Sequence, residues 1–353
     1  MNRRTLPCIL ALLALPAGAT AQHDTGTLVL RSFHFSSGDS LDELKLFYHT
    51  MGRPRRDAGG VVRNAVLILH GTGGSGAQFF SSSFVELYAP GAPLDTSTHY
   101  VILPDDIGHG RSSKPSGGLR GRFPHYAYAD MVTAEYRLVT EGLHVDHLRL
   151  VMGTSMGCMH AWMWAERYAA FMDGVVPLAC APTQIAGRNR MFRKMIIDDI
   201  RLDPAWRGGE YADQPPGLSA ALQVLFMMGS SAALLHRTAP TRDSADQYIS
   251  AWVAGRRTTT DANDMLYQFD ASRDYDPSPD LERITAPVLA INSADDVINP
   301  PELGLMERLM PRVKNGRYVL IPIGPKTRGH GTHTVAAAWR EWFDPFVASL
   351  PQR

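Results

Sequence analysis

Val151-Met152-Gly153-Thr154-Ser155-Met156-Gly157 is an apolar run that turns at a serine set between two glycines and continues into Cys158-Met159-His160-Ala161-Trp162. Leu148 to Met152 reads as a short buried strand, and Met156 to Tyr168 places apolar residues at helical spacing. A strand that becomes a helix across one residue needs a sharp bend. Side chains at the two flanking glycines would collide with neighbouring backbone there. The bend lifts the Ser155 hydroxyl out of the sheet and sets the N–H groups and positive dipole end of a helix beside it. In a chain with 31 glycines GxSxG alone carries little weight. The strand before it and the apolar helix after it make it a nucleophile elbow, with Ser155 as the nucleophile.

A serine hydroxyl is a weak nucleophile until a base takes its proton and a third group orients that base. The chain supplies both after Ser155. The apolar stretch Pro287 to Asn292 runs into Ser293-Ala294-Asp295-Asp296-Val297-Ile298-Asn299-Pro300, where Asp296 is the preferred acid and Asp295 the fallback. Both acids could instead cap a helix beginning near Pro301. A Gly-rich loop after Tyr318 to Ile321 carries Gly329-His330-Gly331-Thr332-His333. His330, freed by the glycine before it, is the expected base, and His333 falls one turn further on. No acidic or cysteine residue at metal-ligand spacing accompanies the two histidines, so no metal is expected. The oxyanion requires two preorganised N–H donors. They are assigned to Met156, directly after the nucleophile, and to Thr72 in the turn Leu69-His70-Gly71-Thr72-Gly73-Gly74. That turn lacks the Lys-Ser/Thr ending of a phosphate loop. His109, in the loop Pro104 to Ser113, is read as structural.

Arg3 and Arg4, the apolar run Leu6 to Pro16 and Ala19-Thr20-Ala21 follow the order of a signal peptide, so a mature start near Gln22 and a periplasmic or secreted protein are expected. Cys8 is lost with the leader. Lys plus Arg and Asp plus Glu number 35 each, which gives no electrostatic case for nucleic acid or an anionic membrane. No later stretch has the length and apolarity of a membrane span. The expected partner is a small-molecule substrate, no cofactor is called for, and a homodimer stays open. Cys158 and Cys180 are read as buried thiols that lie near each other, with a disulfide as the alternative in an oxidising compartment.

Strand patterns at 27–35, 44–50, 65–69, 100–103, 148–152, 174–178, 288–292 and 318–321 alternate with helical ones at 129–141, 156–169, 301–310 and 332–350. This is the pattern of an α/β fold with a mostly parallel, doubly wound sheet. The alternation breaks between Pro182 and Arg283, where the pattern is helical, rich in methionine (Met191, Met195, Met227, Met228, Met265) and punctuated by prolines. The expected organisation is a leader over 1–21, a first core part over 22–181, an inserted helical cap over 182–283 and a second core part over 284–353. Such a cap would sit above the carboxyl edge of the sheet, where α/β enzymes bind ligands. The methionines serve there as core packing or as an adaptable substrate wall.

Together these residues resemble the α/β-hydrolase fold, and within it the homoserine O-acetyltransferase type. The matching stretches are Tyr48-His49-Thr50-Met51-Gly52, Asn64-Ala65-Val66-Leu67, Gly153 to Met159, Asp203 to Tyr211 with Gly217-Leu218, Asp296 with Pro300-Pro301, and Gly329-His330. The resemblance implies an acyl-Ser155 intermediate. It also implies a substrate amine held by an aspartate after the histidine, where this chain has Gly331, and a carboxylate held by a cap arginine, where it has Leu222. A neutral pocket cannot compensate the desolvation of an α-amino acid zwitterion, and acetyl-CoA is a cytoplasmic metabolite. The expected function is therefore an exported, esterase-like serine hydrolase acting on an uncharged ester, lactone or amide. An acyltransferase with an altered acceptor is the alternative.

Overall fold

The computed structural model describes residues 23–351, so the leader and cleavage site expected over 1–21 lie outside the described residues. Eight strands form one sheet: β1 (His23–His34), β2 (Ser40–Met51), β3 (Ala65–Leu69), β4 (Tyr100–Pro104), β5 (Leu150–Thr154), β6 (Val175–Leu178), β7 (Val288–Ser293) and β8 (Gly316–Ile321). Their order is β1-β2-β4-β3-β5-β6-β7-β8. The β1/β2 and β2/β4 pairs are antiparallel and the remaining pairs parallel. Every residue of β3, β4, β5 and β6 is buried, because both faces of the sheet are covered. Successive side chains point to opposite faces. Leu67, Leu69, Ile102 and Val151 join one apolar cluster with Trp162 and Trp164, and Val66, Ile68, Val101 and Met152 join another with Trp339 and Phe343.

The helices are α1 (Ser82–Val85), α2 (Tyr128–Arg137), α3 (Met156–Arg167), α4 (Gly187–Arg201), α5 (Gly217–Gly229), α6 (Ala232–Thr238), α7 (Arg242–Arg257), α8 (Ala262–Asp270), α9 (Leu305–Leu309) and α10 (Arg340–Ser349). Helices α4 to α8 lie between β6 and β7 in the chain. Their apolar residues Ile196, Ile200, Leu218, Leu222 and Met265 continue the first cluster. The methionines of this segment divide: Met228 and Met265 are buried, while Met191, Met195 and Met227 are exposed. Among the described residues no single helix is long and apolar enough to cross a membrane.

Two expected helices are broken. The one expected over 301–310 is divided by Gly304, at φ 57°, into a 3₁₀ turn and α9. The one expected over 332–350 forms an α-helix only from Arg340, since 3₁₀ turns occupy Gly331–Thr334 and Ala336–Ala338. Thr332 donates to the Gly329 carbonyl and Thr334 to the Gly331 carbonyl, both at 2.8 Å. These local bonds give the backbone an alternative to the helix.

The thiol reading of the two cysteines is corrected. Cys158 and Cys180 form a disulfide, with Cα atoms 6.0 Å apart. Because β5 and β6 are parallel neighbours, the first turn of α3 and the residues just past β6 emerge side by side. The bond closes a loop of sequence separation 22, for which chain entropy gives about 3 kcal/mol. Replacing both cysteines by alanine is expected to lower stability by about that amount in denaturant titrations, whereas an unchanged midpoint would count against the bond.

Candidate active site

The turn after β5 is strained. Ser155 sits at φ 55°, ψ −108°, a conformation that costs a non-glycine residue about 1–3 kcal/mol. Its N–H donates to the Leu178 carbonyl and that of Gly157 to the His70 carbonyl, each at 2.9 Å. A Cβ at Gly153 would lie 1.9 Å from the Gly157 oxygen, and one at Gly157 would lie 2.1 Å from the Leu69 oxygen. Both glycines are therefore required by the close approach of β3, β5 and α3.

His330 brings its Nε2 to 2.7 Å from Ser155 Oγ and its Nδ1 to 2.8 Å from Asp296 Oδ2. With the carboxylate accepting from Nδ1–H, Nε2 presents its lone pair to the serine hydroxyl. The arrangement can pass a proton from Ser155 to the imidazole and stabilise the imidazolium that results. Asp296 is only 1% exposed. It accepts from the Ile298 N–H at 2.8 Å and from Asn299 Nδ2 at 3.0 Å. Burial pushes the Asp296 carboxyl up, but the His330 charge and these hydrogen bonds outweigh it and hold the group below its ordinary value. Asn299, which also donates to the Ala179 carbonyl at 3.0 Å, was not singled out from the sequence.

Asp295 does not reach His330. It accepts from Ser231 Oγ and from the Gly329 N–H, each at 2.9 Å. It thereby joins the start of α6 to the loop that carries the histidine. Gly329 has φ 63°, and a Cβ there would lie 2.4 Å from the Ser230 oxygen. The His333 ring packs 5.0 Å from that of His330. Burial, with a smaller push from His330, lowers the His333 imidazole to about 3, so it stays neutral.

The Met156 N–H begins α3 and has no acceptor within its helix. The turn carrying Thr72 follows β3, the parallel neighbour of β5, and a Cβ on Gly71 would lie 3.3 Å from Ser155 Cβ. Both expected donors thus belong to segments that meet at the serine. His109 is buried, with Nδ1 at 2.9 Å from the Ile107 carbonyl.

A cavity of about 70 Å³ opens at Ser155 and His330, lined also by Met159, Cys180, Ile298, Arg188 and Arg193. Two expectations are corrected here. Leu222 is fully buried in the apolar cluster and does not line this cavity, so it packs in the core instead. The lining is not neutral, because it includes Arg193, only 2% exposed. Gly331 opens the 3₁₀ turn after His330, and a Cβ there would meet nothing closer than Arg328 Cβ at 3.8 Å.

Beside His70 lies a set with no local sequence signal: Asp106, Glu135 and His160, all buried. Glu135 accepts from Trp164 Nε1 and faces His160 Nδ1, each at 2.6 Å, and Asp106 Oδ2 lies 3.6 Å from His70 Nε2. Burial raises both carboxyls, Asp106 well above its ordinary value and Glu135 to about 7. The folded state therefore holds a proton that the unfolded chain releases near the ordinary Glu value of 4.5. The stability this confers is full below that value and is lost as pH rises through 7. In unfolding titrations from pH 5 to 8, Glu135→Gln is expected to remove a downward slope of up to about 1.4 kcal/mol per pH unit. Identical slopes in variant and parent would refute the shift.

A parallel sheet carrying Ser155 on the turn after β5, with the imidazole and carboxylate delivered by the loops after β8 and β7, defines an α/β hydrolase. Residues 64–321 match the alpha/beta hydrolase fold family, and the chain belongs to it. It is similar to a probable acyltransferase of Methanothermobacter thermautotrophicus, 29% identical over 289 residues that cover 81% of this chain and 87% of that one. A homoserine O-acetyltransferase of Haloarcula marismortui is 28% identical over 289 residues, 74% of this chain and 68% of its own. The solved structure of esterase E22 superposes with a TM-score of 0.79 at 20% identity, covering 92% of this chain and 100% of that one. The chain is thus an α/β hydrolase, similar in sequence to proteins named acyltransferases.

Proposed function

We propose that the protein is an exported serine hydrolase that cleaves an ester, lactone or amide through an acyl-Ser155 intermediate. The hydrogen-bonded series Ser155–His330–Asp296 carries this reading. Ser155 Oγ attacks the carbonyl carbon as His330 Nε2 takes its proton. The N–H groups of Thr72 and Met156 receive the oxyanion, each contributing a few kcal/mol, about 3, to the transition state. His330 returns the proton to the leaving group, then activates a water that releases the acid and restores the serine. Residues 182–283 act as a cap over this centre.

Water is preferred to an amino-acid acceptor because Gly331 offers no carboxylate to hold an amine. Export rests on the leader pattern of residues 1–21, and the Cys158–Cys180 disulfide fits an oxidising compartment. The names of the sequence relatives favour a second reading, an acyltransferase with an altered acceptor. Purified protein supplied with short esters is expected to release free acid, and to form no O-acetylhomoserine from homoserine and acetyl-CoA. Efficient formation of that product would replace the hydrolase reading with the transferase one.

A further inference from the structure

Arg193 stands on α4, the first helix of the segment between β6 and β7, and its side chain is among the few buried charges of the molecule. Its Nε donates to Asn189 Oδ1 at 3.0 Å and its Nη1 to Ser272 Oγ at 3.1 Å. The guanidinium also lies 5.6 Å from the centre of the Phe269 ring. All of these partners are neutral, and the Tyr128 hydroxyl is also close enough to feel the guanidinium. The neighbouring acids are committed elsewhere. Asp270 pairs with Arg201 and Arg273, Asp274 accepts the first N–H groups of α2, and Asp296 holds His330.

A guanidinium removed from water without a countercharge is costly, and a protein keeps one chiefly where an anion completes it. The cavity that Arg193 lines is the one that opens on Ser155 and His330, and its lining holds two arginines and no carboxylate. Outside it, α4 carries Arg190 and also Lys194, which pairs with Asp198. A second cavity of about 780 Å³ shares Gln184, Ile185 and Ala186 with the first and is lined by Arg190, Lys194 and Arg273, again without an acid. Arg190 Nη1 is buried there without a hydrogen-bond partner. A fork of N–H donors at this depth suits a planar carboxylate better than any neutral group.

We infer that Arg193 is a specificity residue that binds a carboxylate borne by the ester, so that the preferred substrate is a monoanion rather than an uncharged molecule. This deepens the hydrolase reading and rests on it for turnover. It is compatible with the missing amine partner at Gly331, since a simple carboxylate brings no ammonium group. The carboxylate can belong to the acyl portion or to the alcohol portion, and two pairs of esters separate these sources. p-Nitrophenyl hydrogen succinate against p-nitrophenyl butyrate tests the acyl side, and acetoxyacetate against propyl acetate tests the alcohol side.

The wild-type enzyme is expected to favour the charged member of one pair by about tenfold or more in kcat/KM. In Arg193→Gln the KM for that ester should rise about tenfold more than the KM for its neutral partner, and Arg193→Lys should recover part of the difference. Preference for the neutral member in both pairs, no preference in either, or equal losses on both members in a folded variant would overturn the inference. A second measurement separates this failure from failure of the hydrolase reading. Succinate or glycolate at millimolar concentration should protect Ser155 of the wild-type protein from a neutral fluorophosphonate, and butanol should not. Labelling without turnover of any ester would defeat the hydrolase reading alone, and carboxylate protection would still support the subsite. Absence of that protection would defeat the subsite whatever the turnover.

Discussion

Ser155→Ala is expected to abolish fluorophosphonate labelling and to lower kcat on esters by roughly 10⁶-fold, with His330→Ala falling nearly as far. The two act as one unit, since Oγ and Nε2 share a hydrogen bond of 2.7 Å. Removing either leaves only binding and the backbone donors at work. Asp296→Asn preserves the shape but removes the acceptor for Nδ1–H, which favours the wrong tautomer and costs about 10⁴-fold. His333→Ala should be mild by comparison, because its ring packs against His330 and has no hydrogen bond to Ser155 or Asp296 among the described residues. Active-site titration alongside ester turnover checks all four variants. Labelling that persists in Ser155→Ala would remove the serine from the mechanism, and a larger loss in His333→Ala than in His330→Ala would move the base.

Gly157→Ala is expected to do to the fold what Ser155→Ala does to the chemistry. The added methyl would stand 2.1 Å from the Leu69 oxygen, in a strand whose every residue is buried. Neither β3 nor α3 can retreat without opening the apolar clusters on both faces. Overpacking of this kind costs about 3 kcal/mol or more, a large share of the roughly 5–15 kcal/mol that keeps a domain folded. Soluble yield and the urea midpoint should both collapse, and Gly153→Ala should match it. By contrast, Gly255→Ala, whose Cβ would meet nothing within 4 Å, should fold normally. Wild-type stability in Gly157→Ala would show that the two elements are not packed as described.

The doubly wound sheet and the serine turn were legible because their signals are local. A strand, a glycine-flanked serine and an apolar helix occupy twenty consecutive residues or so, and no distant contact is needed to read them. Asp296 and His330 were singled out because each follows an apolar strand and precedes a helix start, and the structure brings their side chains to Ser155. Three other features lie beyond any local pattern. Asn299 matters through its bond to Asp296, Arg193 through the cavity wall it shares with Ser155, and the Asp106–Glu135–His160 set through contacts between a loop and two helices distant in sequence. Resemblance to a family position places Leu222 on a turn of α5 but does not say which face of the helix meets the cavity, and the structure turns it into the core. The final helix is shorter than its apolar spacing predicts, because in 332–339 threonine hydroxyls take up backbone groups instead.

One carboxylate ties two distant segments of the molecule together. Asp295 grips the first residue before α6 and the amide before the histidine at once, and Gly329 lies so close to Ser230 that not even a methyl group fits between them. A tilt of α6 away from the sheet therefore drags the histidine loop with it, and the imidazole loses its alignment with the serine. Insertions or loosened packing near residues 230–231 should accordingly be felt as a slower base, through the shared contact with Asp295.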